Sequence, residues 1–329
     1  MKRLFAEWER QSSLLFALPH QNTDWLPYLD EILLSYEKFI KTAAKYQHCT
    51  VLCANKEAAG KLLGKSDNIT LIELPTNDTW IRDFGAIDVE DGDEIISYDF
   101  TFNAWGGKFE AGLDNAVNEK LFKLGKNRLV KVDMVLEGGS IDSNGDGVLL
   151  TTAKCLLEEN RNPDFGKNEI DAKLKELFGL KRIIWLDNGF LKGDDTDSHV
   201  DTLARFITKD TIAYTVCEDE EDEHFEELKK MEEELKNTGF KLLPLPLPKP
   251  VFFEGERLPA TYANFVFVNG AVLVPTYGDK NDLRVQEILK AALPNHKIEA
   301  LDAKVFIRQH GSLHCASMNR FCRGTAINI

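Results

Sequence analysis

The sequence predicts an α/β protein, and three observations carry that reading. Short runs rich in Val, Ile, Tyr and Phe, bounded by Gly, Asp or Asn, recur along nearly the whole chain. Amphipathic stretches lie between them, with apolar residues three or four apart, as at Phe225, Leu228, Met231 and Leu235. Adjacent β-like runs recur in pairs between the helices, so the order is not a strict strand–helix alternation.

In chain order the patterning predicts a helix over 25–46, a strand over 50–54, a helix over 56–63 and strands over 69–74 and 94–102. A helix over 113–122, strands over 129–136 and 147–152, a helix over 167–177 and a strand over 182–186 follow. Strands over 203–208 and 211–216 read as a hairpin turning on Thr208-Lys209-Asp210. A helix over 220–236 and a strand over 241–245 precede a second hairpin, 262–268 and 271–275, which turns on Asn269-Gly270. A helix over 282–292 and a strand over 297–302 complete the set. The rhythm suggests a strand–strand–helix–strand unit of roughly 60 residues, without a repeat in the sequence itself. No linker divides the chain, so a single domain over 1–329 is expected.

Composition narrows the function classes. Apolar residues make up 43% and charged residues 29%, as in globular proteins. The balance of 40 Lys+Arg against 54 Asp+Glu gives −14, a field that repels nucleic acid and favours a cationic ligand. No apolar run is long enough to span a bilayer, and the N-terminus reaches Glu7 and Glu9 before an apolar stretch forms, unlike a signal peptide. Six thinly spread cysteines (49, 53, 155, 217, 315 and 322) fit reduced thiols and a cytoplasmic location. Cys49 and Cys53 read as core residues. The acidic run 218–223 is expected to open the helix over 220–236, and 242–250, alternating leucine and proline, to form an extended surface loop.

Four clusters could carry chemistry: 77–85 with Trp80, Arg82 and Asp83; Glu137-Gly138-Gly139-Ser140; 193–201 with Asp194, His199 and Asp201; and 310–317 with His310, His314 and Cys315. On an extended segment His199 and Asp201 would share one face. Each cluster also has a plain reading: a solvated loop, a salt-bridged turn, glycine punctuation, a structural thiol. Asp142, Asn144, Asp146 and Gly147 resemble the start of an EF-hand, but Ala153 stands where Glu is needed, which leaves a hairpin turn. His310, His314 and Cys315 could hold zinc, although no Glu stands between the histidines to serve as base. A papain-like pairing of Cys315 with His199 lacks that family's local context and chain order. An amide's oxyanion also needs donors rather than carboxylates. A thiol, an imidazole and three carboxylates suit a cationic electrophile.

In order, W-x-R-D at 80–83, E-G-G at 137–139, T-D-x-H-x-D at 196–201 and H-C at 314–315 resemble the agmatine deiminase and bacterial peptidylarginine deiminase family. The resemblance extends to Ala6-Glu7-Trp8-Glu9, to 102–108 (Phe-Asn-Ala-Trp-Gly-Gly-Lys) and to Tyr262-Ala263-Asn264-Phe265, and so covers nearly the whole chain. It implies a five-bladed pentein α/β propeller of ββαβ modules. It further implies Cys315 as nucleophile, Asp83 and Asp201 as guanidinium ligands, His199 as general acid and base, and Glu137 hydrogen-bonded to His199. Trp80, Trp105 and Asn264 would contact substrate. The lead-in His310-Gly311-Ser312 and the turn Phe84-Gly85-Ala86 depart from the family's glycine run and Gly-Pro, which bears on loop shape only.

The resemblance implies hydrolysis of agmatine to N-carbamoylputrescine through an S-alkylthiouronium on Cys315. The expected partner is a small cationic guanidino substrate, with no metal or other cofactor, no nucleic acid and no membrane; a homo-oligomer stays open. Family members that accept arginyl substrates place arginines after W-x-R-D. No arginine stands between Asp83 and Arg128 here, and Lys108 is the nearby cation, so the amine is expected over arginine or peptidyl-arginine. A metal-dependent hydrolase and a non-catalytic cation-binding protein are the remote alternatives. Asp194 and Asp219 are taken as surface charges, and 323–329 as a tail.

Overall fold

Strands form where β-branched and aromatic residues cluster, and they pair in a recurring way. In the computed structural model, which describes residues 2–124 and 128–322, Ile87–Asp91 pairs antiparallel with Glu94–Thr101, which pairs parallel with Arg128–Val135. The same antiparallel-then-parallel pattern links Ile141–Ser143, Val148–Thr152 and Arg182–Leu186. It recurs in Ala204–Thr208, Thr211–Val216 and Lys241–Pro246, and in Val266–Val268, Ala271–Thr276 and Lys297–Asp302. The last strand, Met318–Phe321, runs antiparallel to Gln11–Ala17, which continues in parallel to His48–Cys53 and Ile69–Glu73. This last sheet ties the two ends of the described chain together.

A parallel step needs a crossover, and an amphipathic helix supplies each one. Val117–Phe122, Lys167–Phe178, Phe225–Lys236, Asn281–Ala292, Leu29–Ala43 and Lys56–Leu63 all bury one face. A short hairpin, Val251–Phe253 with Glu256–Leu258, stands outside the pattern. Among the described residues no helix is long and apolar enough to cross a membrane.

The differences from the sequence reading have physical causes. Pro27 begins a 3-10 turn, Leu26–Tyr28, so the first α-helix is only Leu29–Ala43. The run 218–223 precedes its helix, which starts at Phe225, and answers arginines instead: Glu218 meets Arg284 at 2.7 Å and Asp222 meets Arg257 at 2.6 Å. The first half of 242–250 belongs to the strand Lys241–Pro246, with Leu245 buried. The residues 142–147 do make a hairpin turn, in which Asn144 Oδ1 accepts the N–H groups of Asp146 and Val148. Cys49 and Cys53 are buried in a strand, and the tail expected over 323–329 lies outside the described residues.

Strands missed in the sequence, such as Gln11–Ala17 and Met318–Phe321, carry polar side chains that are buried and paired. Arg320 donates from Nε and Nη2 to both oxygens of Asp88, at 2.8 and 2.7 Å, and joins the last strand to Ile87–Asp91. Asp88→Ala leaves that guanidinium buried without its counterion. It is predicted to cost about 3–5 kcal/mol, read as a lower urea midpoint. A midpoint equal to wild type would contradict this account of the join.

Candidate active site

Cys315 lies in the turn between the 3-10 helix Phe306–Gln309 and the strand Met318–Phe321. The turn passes close under an indole, and a Cβ on Gly311 would lie 2.4 Å from the Trp80 ring. Trp80 in turn packs on Trp25, with ring centroids 5.7 Å apart. Asn264 holds the turn from below: its Oδ1 accepts N–H bonds from His314 at 3.0 Å and Cys315 at 3.3 Å, and its Nδ2 lies 3.3 Å from the sulfur. Asn264 therefore sits beneath the thiol and is not among the residues that line the cleft, since the backbone uses its carbonyl.

Two carboxylates face the same point. Asp83, on the short helix Ile81–Phe84, accepts the Gly139 N–H on Oδ1 and the Trp105 indole N–H on Oδ2, both at 2.9 Å. Asp201 Oδ2 lies 3.7 Å from the Cys315 sulfur, while its Oδ1 is buried without a partner. The segment 199–201 is not extended: Val200–Thr202 is a 3-10 turn, closed by the Thr202 hydroxyl on the His199 carbonyl. His199 and Asp201 still converge, because a Cβ on Gly139 would meet His199 Nδ1 at 2.6 Å, Asp83 Oδ1 at 2.9 Å and Asp201 Oδ2 at 3.1 Å. The glycines of Glu137-Gly138-Gly139 thus give room for close approach rather than punctuate a turn.

His199 Nδ1 lies 3.7 Å from Asp83 Oδ1, and neither ring nitrogen has a hydrogen-bond partner. Glu137 does not hydrogen-bond His199. Its Oε1 accepts Arg161 Nε at 2.8 Å, because a buried guanidinium needs a carboxylate, and its Oε2 is left unpartnered. Donor atoms of Glu137, His199 and the buried Cys155 lie within 4.8 Å of one another, so Glu137 supports the imidazole by charge. Burial opposes protonation of His199, but Asp83, Cys155 and Glu137 together hold it well above the ordinary histidine range. Arg161 and Cys155 were not found in the sequence, where neither lies in a motif. Arg161 also binds Asp197 and the Thr196 carbonyl, fixing the loop before His199.

Trp80, Asp83, Trp105, His199 and Cys315 line a cleft of about 700 Å³, whereas Asp201, 3.7 Å from the Cys315 sulfur, is not among its lining residues. Its mouth carries Asp24, Asp78, Asp194 and Asp195. Burial pushes the Asp78 carboxyl up to about 7 and raises that of Asp195. Asp194 is no bland surface charge: it accepts from the Thr196 hydroxyl at 2.5 Å and the Ser198 N–H at 2.7 Å, bracing the His199 loop. Asp219, by contrast, is exposed. No Lys or Arg is among the described residues that line the cleft, and Lys108 is held outside it by Asp197 and the Asp195 carbonyl. His310, His314 and Cys315 do not gather as metal ligands. His310 Nδ1 is 2.6 Å from the Gly193 carbonyl, and the His314 ring lies between Asp201 and Glu7.

Burial, then the charges of Asp201 and Asp83, raise the Cys315 thiol well above its ordinary value. In the substrate-free protein, alkylation of Cys315 by iodoacetamide, followed by peptide mass analysis, is predicted to keep accelerating above the ordinary thiol range near ~8.5. A plateau reached below that range would contradict this. Gly139→Ala is predicted to lower turnover by roughly a hundredfold, as a misplacement of ~1 Å can do, with the protein still folded. Unchanged kinetics would show that the contacts around Gly139 are not tight.

Residues 3–320 match the family model of the Porphyromonas-type peptidyl-arginine deiminases. The chain is similar to a C315S agmatine deiminase of C. jejuni solved with substrate bound, at 56% identity and a TM-score of 0.96 over 98% of this chain and 97% of that one. A second C. jejuni agmatine deiminase structure has 52% identity and a TM-score of 0.91 over the same shares. The agmatine deiminase of Pseudomonas aeruginosa is 29% identical over 97% of this chain and 95% of its own length. With its mixed α/β fold and the four motifs gathered around one thiol, the chain belongs to the Porphyromonas-type peptidyl-arginine deiminase family.

Proposed function

We propose that this protein hydrolyses agmatine to N-carbamoylputrescine and ammonia, feeding putrescine synthesis in the cytoplasm. The observation that carries the reading is the pair Asp83 and Asp201, buried beside one thiol that opens on a cleft with no Lys or Arg among its described lining residues. Such a pair favours a planar cation with several N–H donors. The relatives named agmatine deiminase from C. jejuni and P. aeruginosa support the same substrate. The five sheets of like pairing are read as the blades of one pentein propeller domain, with the cleft at its centre.

In this reading the guanidinium replaces water between Asp83 and Asp201, and Asp201 Oδ1 gains its missing donor. The bound positive charge offsets the two carboxylates that oppose thiolate formation, so the Cys315 proton leaves to solvent as substrate enters. The sulfur attacks the guanidinium carbon to form a tetrahedral adduct. His199, held protonated, gives its proton to the departing amino group, and ammonia leaves an S-alkylthiouronium on Cys315. Neutral His199 then takes a proton from water, which adds to the same carbon. Collapse of that adduct breaks the C–S bond, the adduct's hydroxyl proton passes to the departing sulfur and restores the thiol, and the ureido product leaves. Trp80 and Trp105 wall the pocket, and the carboxylates at the mouth suit the distal ammonium of the substrate.

Agmatine, free arginine and a peptide ending in arginine, assayed side by side for ammonia, test the proposal. Agmatine is predicted to exceed the others in kcat/KM by about a hundredfold, on the order of 2.7 kcal/mol. Cys315→Ala is predicted to abolish turnover. Arginyl peptides turned over as well as agmatine would overturn the substrate, and activity in Cys315→Ala would overturn the mechanism.

A further inference from the structure

The N-terminal Ala6-Glu7-Trp8-Glu9 segment lies far in sequence from the catalytic cluster, yet Glu7 reaches its underside. His314 Nδ1 lies 2.7 Å from Asp201 Oδ2, and Nε2 lies 2.6 Å from Glu7 Oε2. An imidazole with an acceptor at each nitrogen needs two N–H donors, which only the imidazolium has. His314 is buried and, like Asp201, is not among the residues lining the cleft. It faces a second, small pocket shared with Glu7, Arg82 and Asp142.

We propose that Glu7 and His314 are positioning residues, a carboxylate–imidazolium relay that fixes Asp201 beside the Cys315 sulfur, where it meets the substrate's guanidinium. This rests on the reading of Asp201 as a guanidinium ligand. The relay occupies one oxygen of Asp201 and leaves the other buried and unpartnered. Its far end is anchored. Glu7 Oε1 accepts the Phe267 N–H at 2.7 Å, and Glu7 Oε2 pairs with Arg205, whose Nε reaches Asp142 at 2.6 Å. Three parts of the chain, near residues 7, 201 and 314, thereby determine the placement of one carboxylate.

The relay also keeps that carboxylate charged. Burial opposes ionisation of Asp201, but the His314 hydrogen bond and charge, with His199 and Arg205 behind them, hold its carboxyl below the ordinary range. Arg82 attracts it as well, while Asp83 and Cys315 oppose it. Without His314, burial and Asp83 weigh more heavily, and Asp201 protonates at higher pH.

The test uses the full-length protein with His314→Leu, His314→Asn and Glu7→Gln, each checked by circular dichroism and assayed with agmatine across pH. His314→Leu is predicted to lower kcat/KM on the order of 10–100-fold and to move the acid limb of its pH profile upward. His314→Asn, whose amide can still donate to Asp201, is predicted to recover part of the loss. Glu7→Gln is predicted to move the acid limb the same way by less. Added to Asp201→Asn, His314→Leu is predicted to cost little more than Asp201→Asn alone. Full additivity, or an unmoved acid limb in folded His314→Leu, would overturn the relay. If His314→Leu does not fold, an unmoved limb in Glu7→Gln overturns it. A wild-type protein that releases no ammonia from agmatine would sink the proposed function and the relay together, whereas wild-type turnover with unshifted variants sinks the relay alone.

Discussion

Two carboxylates buried around one thiol, beside a cleft with no Lys or Arg among the described residues that line it, are the constraint on which the rest of this structure depends. Charge removed from water is costly unless it is paired or hydrogen-bonded. Asp83 is satisfied by the Gly139 N–H and the Trp105 indole, with His199 Nδ1 3.7 Å away, and Asp201 by His314, but neither accepts a hydrogen bond from a lysine or arginine among the described residues. The arginines nearby are committed elsewhere: Arg161 to Glu137, Arg205 to Glu7 and Asp142, and Arg82 to Asn319 and the His314 carbonyl. The site is prepared for a cation that arrives from outside.

Holding such a site open requires backbone that would not be chosen for stability. Ala104 and Trp105, Asp197 and Ser198, and His310 all adopt positive φ, and each pair or residue flanks the cleft. Strain of this kind persists only where surrounding contacts over-determine it. Here those contacts are visible: Asn103 caps Gly106, Asp194 and Arg161 brace 196–198, and the Gly193 carbonyl meets His310. The same groups that strain the loops also fix the distances between thiol, imidazole and carboxylates, linking local conformation directly to reactivity.

Much of this was legible in the sequence. The strand–strand–helix–strand rhythm appears as repeated antiparallel-then-parallel pairing, and four motifs far apart in the chain gather around one thiol. What escaped was polar structure that is buried. Gln11–Ala17 and Met318–Phe321 do not alternate as apolar strands do, because Gln11, Asn319 and Arg320 find partners only in the folded chain. Arg161 and Cys155 stand in no motif. Asp194 looks like one more aspartate in an acidic loop until its bonds to Thr196 and Ser198 are seen. Glu7 and His314 stood inside recognised motifs, but nothing in their spacing says that they touch.

Charge complementarity is the central claim, and it can be measured apart from chemistry. Isothermal titration calorimetry on Cys315→Ser compares agmatine, which carries the guanidinium cation, with N-carbamoylputrescine, which keeps the distal ammonium and nearly the same shape but has a neutral ureido group in its place. The account predicts that the cation binds at least about a hundredfold more tightly, as two charge-assisted contacts of roughly 1.5–3 kcal/mol each allow. Equal affinity for the two would contradict it, because the buried carboxylates would then not be reading the charge of the guanidinium.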